Sequence, residues 1–135
     1  MRRSVLLAYQ WFTGLSDTCT GVLLYVAPAF TLGLMGIHAP VEASPYISYI
    51  GAFVLSVGIS CIYGGLLITY NARAERLETV WLLTAFARSA VAIYLLKGIL
   101  SGELEPAWAT VAVFDASCVV FQAIGLRKRW PAHAH

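Results

Sequence analysis

Four stretches of this sequence are apolar for the length of a membrane crossing, and nothing else in it constrains the fold as much. They run over about residues 9–37, 46–70, 79–100 and 107–126, and a spanning helix needs about 20 mostly apolar residues. A bilayer offers the backbone no partner, so each stretch must close its own hydrogen bonds as a helix. The connections "HAPVEASP" (38–45), "NARAERLE" (71–78) and "SGELEP" (101–106) are short, which sets neighbouring helices antiparallel. The expected fold is all-α: one integral membrane domain, residues 1–135, forming a four-helix up-down-up-down bundle. Composition agrees. Of the 135 residues 59% are hydrophobic and 12% are charged, whereas a soluble domain has about a quarter charged. The first stretch is too long for a cleaved leader and Asp17 interrupts it early, so it reads as a retained span.

Basic residues orient such a bundle. Arg2 and Arg3 precede the first span, Arg73 and Arg76 lie in the middle connection, and Arg127, Lys128 and Arg129 follow the last span. All fall on one side of a four-span arrangement. The opposite connections carry Glu42, Glu103 and Glu105, and Lys97 lies near the outer end of the third span. Both termini are therefore expected in the cytoplasm, with the protein multi-pass in the inner (plasma) membrane. Trp11, Trp81 and Trp130 are expected near the inner interface and Trp108 near the outer one.

The run "TAFARSAVAIYLL" (84–96) places Arg88 inside the third span. At 1.5 Å per residue it lies roughly 14 Å from the cytoplasmic end, and Asp115 of the fourth span roughly 16 Å from that end. Asp17 is somewhat shallower on the first span. A lone charge at such depth costs several kcal/mol, so Arg88 is expected to pair with Asp115, with Asp17 or Gln122 completing its hydrogen bonding. Helical spacing supports convergence: Trp81, Thr84 and Arg88 share one face, as do Trp108, Asp115, Cys118 and Gln122. The candidate polar core is Asp17, Thr84, Arg88, Asp115 and Gln122. On the second span Gly51, Gly58 and Gly65 recur every seven residues, and Ser56, Ser60 and Gly64 form a second small-residue row. Small residues let helix backbones approach in lipid, so this span is expected to be wedged between neighbours on both faces. Pro28 is expected to kink the first span.

Other chemistries have little in the sequence to carry them. Cys19, Cys61 and Cys118 are dispersed in apolar runs and form no CxxC pair, so they read as small buried hydrophobes. His38 is the sole histidine outside the tail that holds His133 and His135, which excludes a bis-histidine haem bound by this chain alone. No cofactor is expected, and no metal, since His38 with Glu42 makes a poor site. No basic, aromatic-interleaved patch or phosphate loop points to nucleic acid. A paired-carboxylate hydrolase built on Asp17 and Asp115 is opposed by Arg88, whose charge favours the ionised form of each acid.

The stretches "GVLLYVAPAFTLGLMGI" (21–37), "YIGAFVLSVGISCIYGGLL" (49–67), "TAFARSAVAIYLL" (84–96) and "FDASCVVFQAIGL" (114–126) resemble a group of small bacterial four-helix membrane proteins related to the DoxX-like group. They cover about half the chain. The resemblance implies the four-helix fold and a third-span arginine facing a fourth-span acid, here Arg88 and Asp115. It implies no reaction, and the chain lacks the glycine–lysine motif that DoxX proper shows at the end of the first span.

The leading expectation is a non-enzymatic membrane protein: an accessory subunit, or a bundle binding a lipid or quinone-like small molecule. Its expected partners are the lipid bilayer and further copies of itself or a larger membrane complex. The alternatives are a small proton-coupled transporter using Asp17 and an intramembrane enzyme acting on a lipid or quinone.

Overall fold

The computed structural model describes residues 3–133; Arg2 and His135 lie outside them. The described chain is all-helical. It has five α-helices: α1 (Arg3–Val26), α2 (Pro28–Leu34), α3 (Ser44–Thr69), α4 (Ala74–Ser101) and α5 (Ala109–Arg127). Single 3₁₀ turns occupy Val41–Ala43, Pro106–Trp108 and Trp130–His133. Three helical stretches, Val41–Thr69, Ala74–Ser101 and Pro106–Arg127, are long and apolar enough to cross a membrane. By length and composition they mark a membrane protein. α1 is not among them despite its 24 residues. Gln10, Thr13, Ser16, Asp17, Thr18 and Thr20 dilute its apolar content.

The first expected span, 9–37, differs most. Its helix begins at Arg3 and breaks at Ala27, which sits at φ −142° and ψ 63°. Pro28 has no N–H to offer the Leu24 carbonyl, and its ring crowds the preceding turn. The ladder continues around the break through Ala27 N–H to Leu23 O (2.8 Å) and Thr31 N–H to Ala27 O (3.0 Å). The middle connection is also shorter than 71–78, because α4 starts at Ala74. Asn71, at φ 51°, makes the turn before it, a left-handed conformation that asparagine tolerates. α4 ends on Gly102 at φ 76°, where a side chain would be strained.

α1 and α3 pack backbone to backbone. A Cβ on Gly58 would lie 2.5 Å from the Thr18 nitrogen, and one on Gly51 2.6 Å from the Tyr25 nitrogen. Gly14 meets Ile62 and Gly65 meets Trp11. Contacts thus descend α3 as they ascend α1, so the two helices run in opposite directions. Gly64 belongs to this same seam: it faces the Gln10 amide and Leu77, not the opposite face with Ser56 and Ser60. Ser56 is exposed, and the Ser56 and Ser60 hydroxyls donate to their own helix at Ala52 O (2.9 Å) and Ser56 O (2.8 Å). The expectation that α3 is wedged on both faces is therefore corrected. Its second face lines an open groove of about 280 Å³ against α4, walled by Phe53, Tyr63 and Leu83. The small side chains on that face leave space that α4 does not fill.

The burial pattern is inverted relative to a soluble protein. Phe12, Phe53, Leu83, Phe86, Ile93 and Val113 point outward. Gln10, Thr13, Asp17, Thr84, Arg88, Asp115 and Gln122 are buried. Two apolar clusters close the ends of the interior. One gathers Leu6, Leu67, Ile68, Leu77 and Trp81, with Phe121, Leu126 and Trp130 against it. The other gathers Leu24, Leu32, Ile37 and Ile47, with Trp108 alongside. Trp81 is fully buried, because Gly125 leaves room for its ring.

Candidate functional site

The polar groups lie between the two apolar clusters. Arg88 of α4 is 3% exposed and donates with both terminal nitrogens. Its Nη1 reaches Asp115 Oδ1 of α5 at 2.5 Å, and its Nη2 bonds Asp17 Oδ2 of α1. One guanidinium thus joins three helices. The helical repeat explains the meeting. Asp17 and Tyr9 are two turns apart on α1, as are Arg88 and Trp81 on α4, and Tyr9 packs edge-on against Trp81 with centroids 5.7 Å apart. α1 and α4 therefore run alongside in the same sense, and α5 returns past α4 in the opposite one.

One turn from Arg88, Thr84 takes a second cross-helix bond. Gln122 Nε2 donates to its hydroxyl at 2.8 Å, and that hydroxyl donates to Val80 O at 2.8 Å. Gln122 therefore serves Thr84 and not Arg88, since it lies almost two turns beyond Asp115 on α5. Of the candidate residues, Asp17, Arg88 and Asp115 form one group and Thr84 with Gln122 an adjoining pair. Gly51, Gly58, Gly65 and Gly64 belong to the α1–α3 seam that holds Asp17 in place.

Several site residues went unread in the sequence. Gln10 and Thr13 precede Asp17 by seven and four residues, the spacing of one helix face, and both are buried. Cys61 lies beside Thr13 and Arg88, and Cys118 beside Tyr9. Phe114 sets its ring 5.4 Å from the Arg88 guanidinium carbon, a cation–π distance. Among the described residues, the buried atoms without a hydrogen-bond partner include Arg88 Nε, Gln122 Oε1, Trp81 Nε1, Tyr9 Oη and both amide atoms of Gln10. Burying such atoms costs about 1–3 kcal/mol each, so this interior carries more polar capacity than its own packing uses.

His38 lies beside Glu105. Its backbone N–H donates to Glu105 Oε2 at 3.1 Å and its ring nitrogen lies 3.6 Å from the same oxygen. The turn after α2 carries His38 towards the α4–α5 connection. At the other end Arg3 Nη2 donates to Ile68 O (2.8 Å) and Thr69 O (3.1 Å), capping the C-terminus of α3.

No family model matches the chain, and no curated protein or solved structure is significantly similar to it.

The chemistry open to this arrangement follows from its charges. Two carboxylates face one cation, and hydroxyls, amides and thiols surround them. The Thr13 and Thr84 hydroxyls are committed to their own helices, Thr13 donating to Tyr9 O at 2.8 Å. The group suits holding charge and polar ligands in an apolar setting.

Proposed function

We propose that this chain is a non-enzymatic integral membrane protein that binds a small lipophilic molecule in its polar interior, alone or as an accessory subunit of a larger membrane complex. In this reading α1 with α2 supplies a fourth crossing beside the three long helices. The result is an up-down-up-down four-helix bundle in the inner membrane, with both termini in the cytoplasm. Arg3, Arg73, Arg76, Arg127, Lys128 and Arg129 support that orientation. The DoxX-like resemblance supports the same architecture.

One observation carries the binding reading. The buried layer around Arg88 contains more hydrogen-bonding atoms than its neighbours satisfy, with Gln10 and Gln122 both 0% exposed. Lipids and quinone-like molecules have polar heads that can meet such atoms and apolar bodies that suit the surrounding surface. The test is native mass spectrometry of the full chain released from nanodiscs. A small lipophilic molecule should co-purify with the parent chain and be lost in Gln10→Leu/Gln122→Leu while the helical circular dichroism persists. Retention of the same molecule by that variant counts against the reading.

A second reading is proton-coupled transport through Asp17. The excess of one carboxylate over the single guanidinium favours it. Substrate binding that varies with pH in the parent and not in Asp17→Asn is its signature.

A further inference from the structure

We propose that the Asp17–Arg88–Asp115 group holds one exchangeable proton, and that this proton enters and leaves only from the end of the molecule where Arg3 lies. The inference rests on the charge count of the second reading and adds the route and the side.

Charge balance sets the number. Two carboxylates and one guanidinium sum to one negative charge, in an interior where an unbalanced charge is expensive. Every helix packed against the two acids sets a titratable group towards them. These groups are Arg88 from α4, Cys61 from α3, Cys118 from α5 and Tyr9 from α1 itself. Arg88 is the one cation among them. A single proton shared over Asp17 and Asp115 neutralises the group. The Arg88 Nε–H, buried and unpartnered inside the site, gives a water molecule a place to dock beside the carboxylates.

The route follows from where the unpartnered atoms lie. From Asp17 towards Arg3, α1 presents Thr13 and Gln10 on one face, and Gln10 sits against Gly64 of α3. One turn further along α3, at the edge of the Leu6, Leu67, Ile68, Leu77 and Trp81 cluster that the route must skirt, the Ile68 carbonyl accepts from Arg3, which is exposed. Thr84, Gln122, Trp81 Nε1 and Tyr9 Oη line the α4–α5 side of the same half. Cys61 to Ile68 spans seven residues, about 10 Å, which a few waters and these side chains bridge. Past Asp17 in the other direction the buried side chains are Leu24, Leu95 and Ala112, then the Leu32, Ile37 and Ile47 cluster, with Thr31 beside it. Among the described residues Thr31 is the one buried polar side chain beyond the site in that half, and its hydroxyl is committed to Ala27 O of its own helix, whereas the Arg3 half holds Thr13, Gln10, Thr84 and Gln122.

Infrared spectroscopy of the full chain reads the protonated carboxyl directly through its C=O stretch. Near neutral pH the parent should show one such group per chain. Asp17→Asn and Asp115→Asn should each abolish it, because the remaining acid is balanced by Arg88. Arg88→Leu should double it. In vesicles with the Arg3 end outward, raising the external pH should remove the band, and raising only the internal pH should leave it. Gln10→Leu or Gln122→Leu should slow its loss by an order of magnitude. A parent chain with no protonated carboxyl overturns the proposal, as does a band lost equally fast from either side. The sidedness measurement uses the parent chain and needs no variant to fold. If the band behaves as expected while no solute moves with the proton, the transport reading falls and the proton site stands.

Discussion

Replacing Arg88 by leucine removes the one group that contacts Asp17 and Asp115 together. Breaking a buried ion pair by deleting one partner costs about 3–5 kcal/mol, because a charge is left stranded. Here one carboxylate loses its countercharge and both acids lose their donor, so Arg88→Leu should fall within that range. Asp115→Asn is different. Asp17 stays bonded to Arg88 and keeps it neutralised, and the amide oxygen still accepts from Nη1. The loss there is one charge-assisted bond exchanged for a neutral one, about 1 kcal/mol. Arg88→Leu/Asp115→Leu should recover part of the arginine loss, since one acid remains stranded. Adding Asp17→Leu should recover most of it. Unfolding in mixed SDS micelles, followed by the fluorescence of buried Trp81, measures each variant. Equal losses for Arg88→Leu and Asp115→Asn would refute this reasoning, as would a triple variant no more stable than Arg88→Leu alone.

Gly58→Leu should destabilise more than Leu55→Ala, because a side chain at Gly58 meets the Thr18 backbone, which cannot yield; thermal unfolding in detergent ranks the two. Arg3→Ala should cost about 1–2 kcal/mol by uncapping α3, with faster amide exchange confined to the residues around Ile68 and Thr69. Tags at either terminus should be shielded from external protease in intact cells and cleaved after permeabilisation, and cleavage in intact cells would reverse the orientation. Gly102→Val should strain the end of α4, where φ is 76°, and lower the melting temperature more than Ser101→Ala does.

The boundaries of α3 and α5 and the end of α4 were legible because apolar runs end at prolines, glycines and charges, while the start of α4 was not, since Glu75, Arg76 and Glu78 in its first turns read as a connection. α1 was less so: its apolar content alternates with threonines and serines, of which Thr13 bonds back to Tyr9 O of its own helix and the Thr18 hydroxyl is buried without a partner. The Arg88–Asp115 contact follows from the rise per residue alone, which compares depth without needing side-chain detail. The choice between Asp17 and Gln122 as the second partner of Arg88 was left open, because spacing along one helix gives a face but not its height against a neighbour. That Trp81 turns inward was not legible, because only the missing side chain at Gly125, against which its ring packs, shows it. The second face of α3 looked like a packing surface because small residues are equally suited to a close neighbour and to an open groove. Gln10 and Thr13 were overlooked though they repeat the spacing that singles out Asp17.

The bond between Asp17 and Arg88 joins residues 71 positions apart. At a synthesis rate of about 5–20 residues per second, Asp17 leaves the ribosome roughly 4–14 s before its arginine. Throughout that interval α1 holds an acid with no cation to meet it, while α3 arrives and can close the glycine seam. The early intermediate is thus a helical hairpin bearing an unclaimed carboxylate. Until α4 arrives, that carboxylate gives the insertion machinery reason to hold the hairpin back from the lipid.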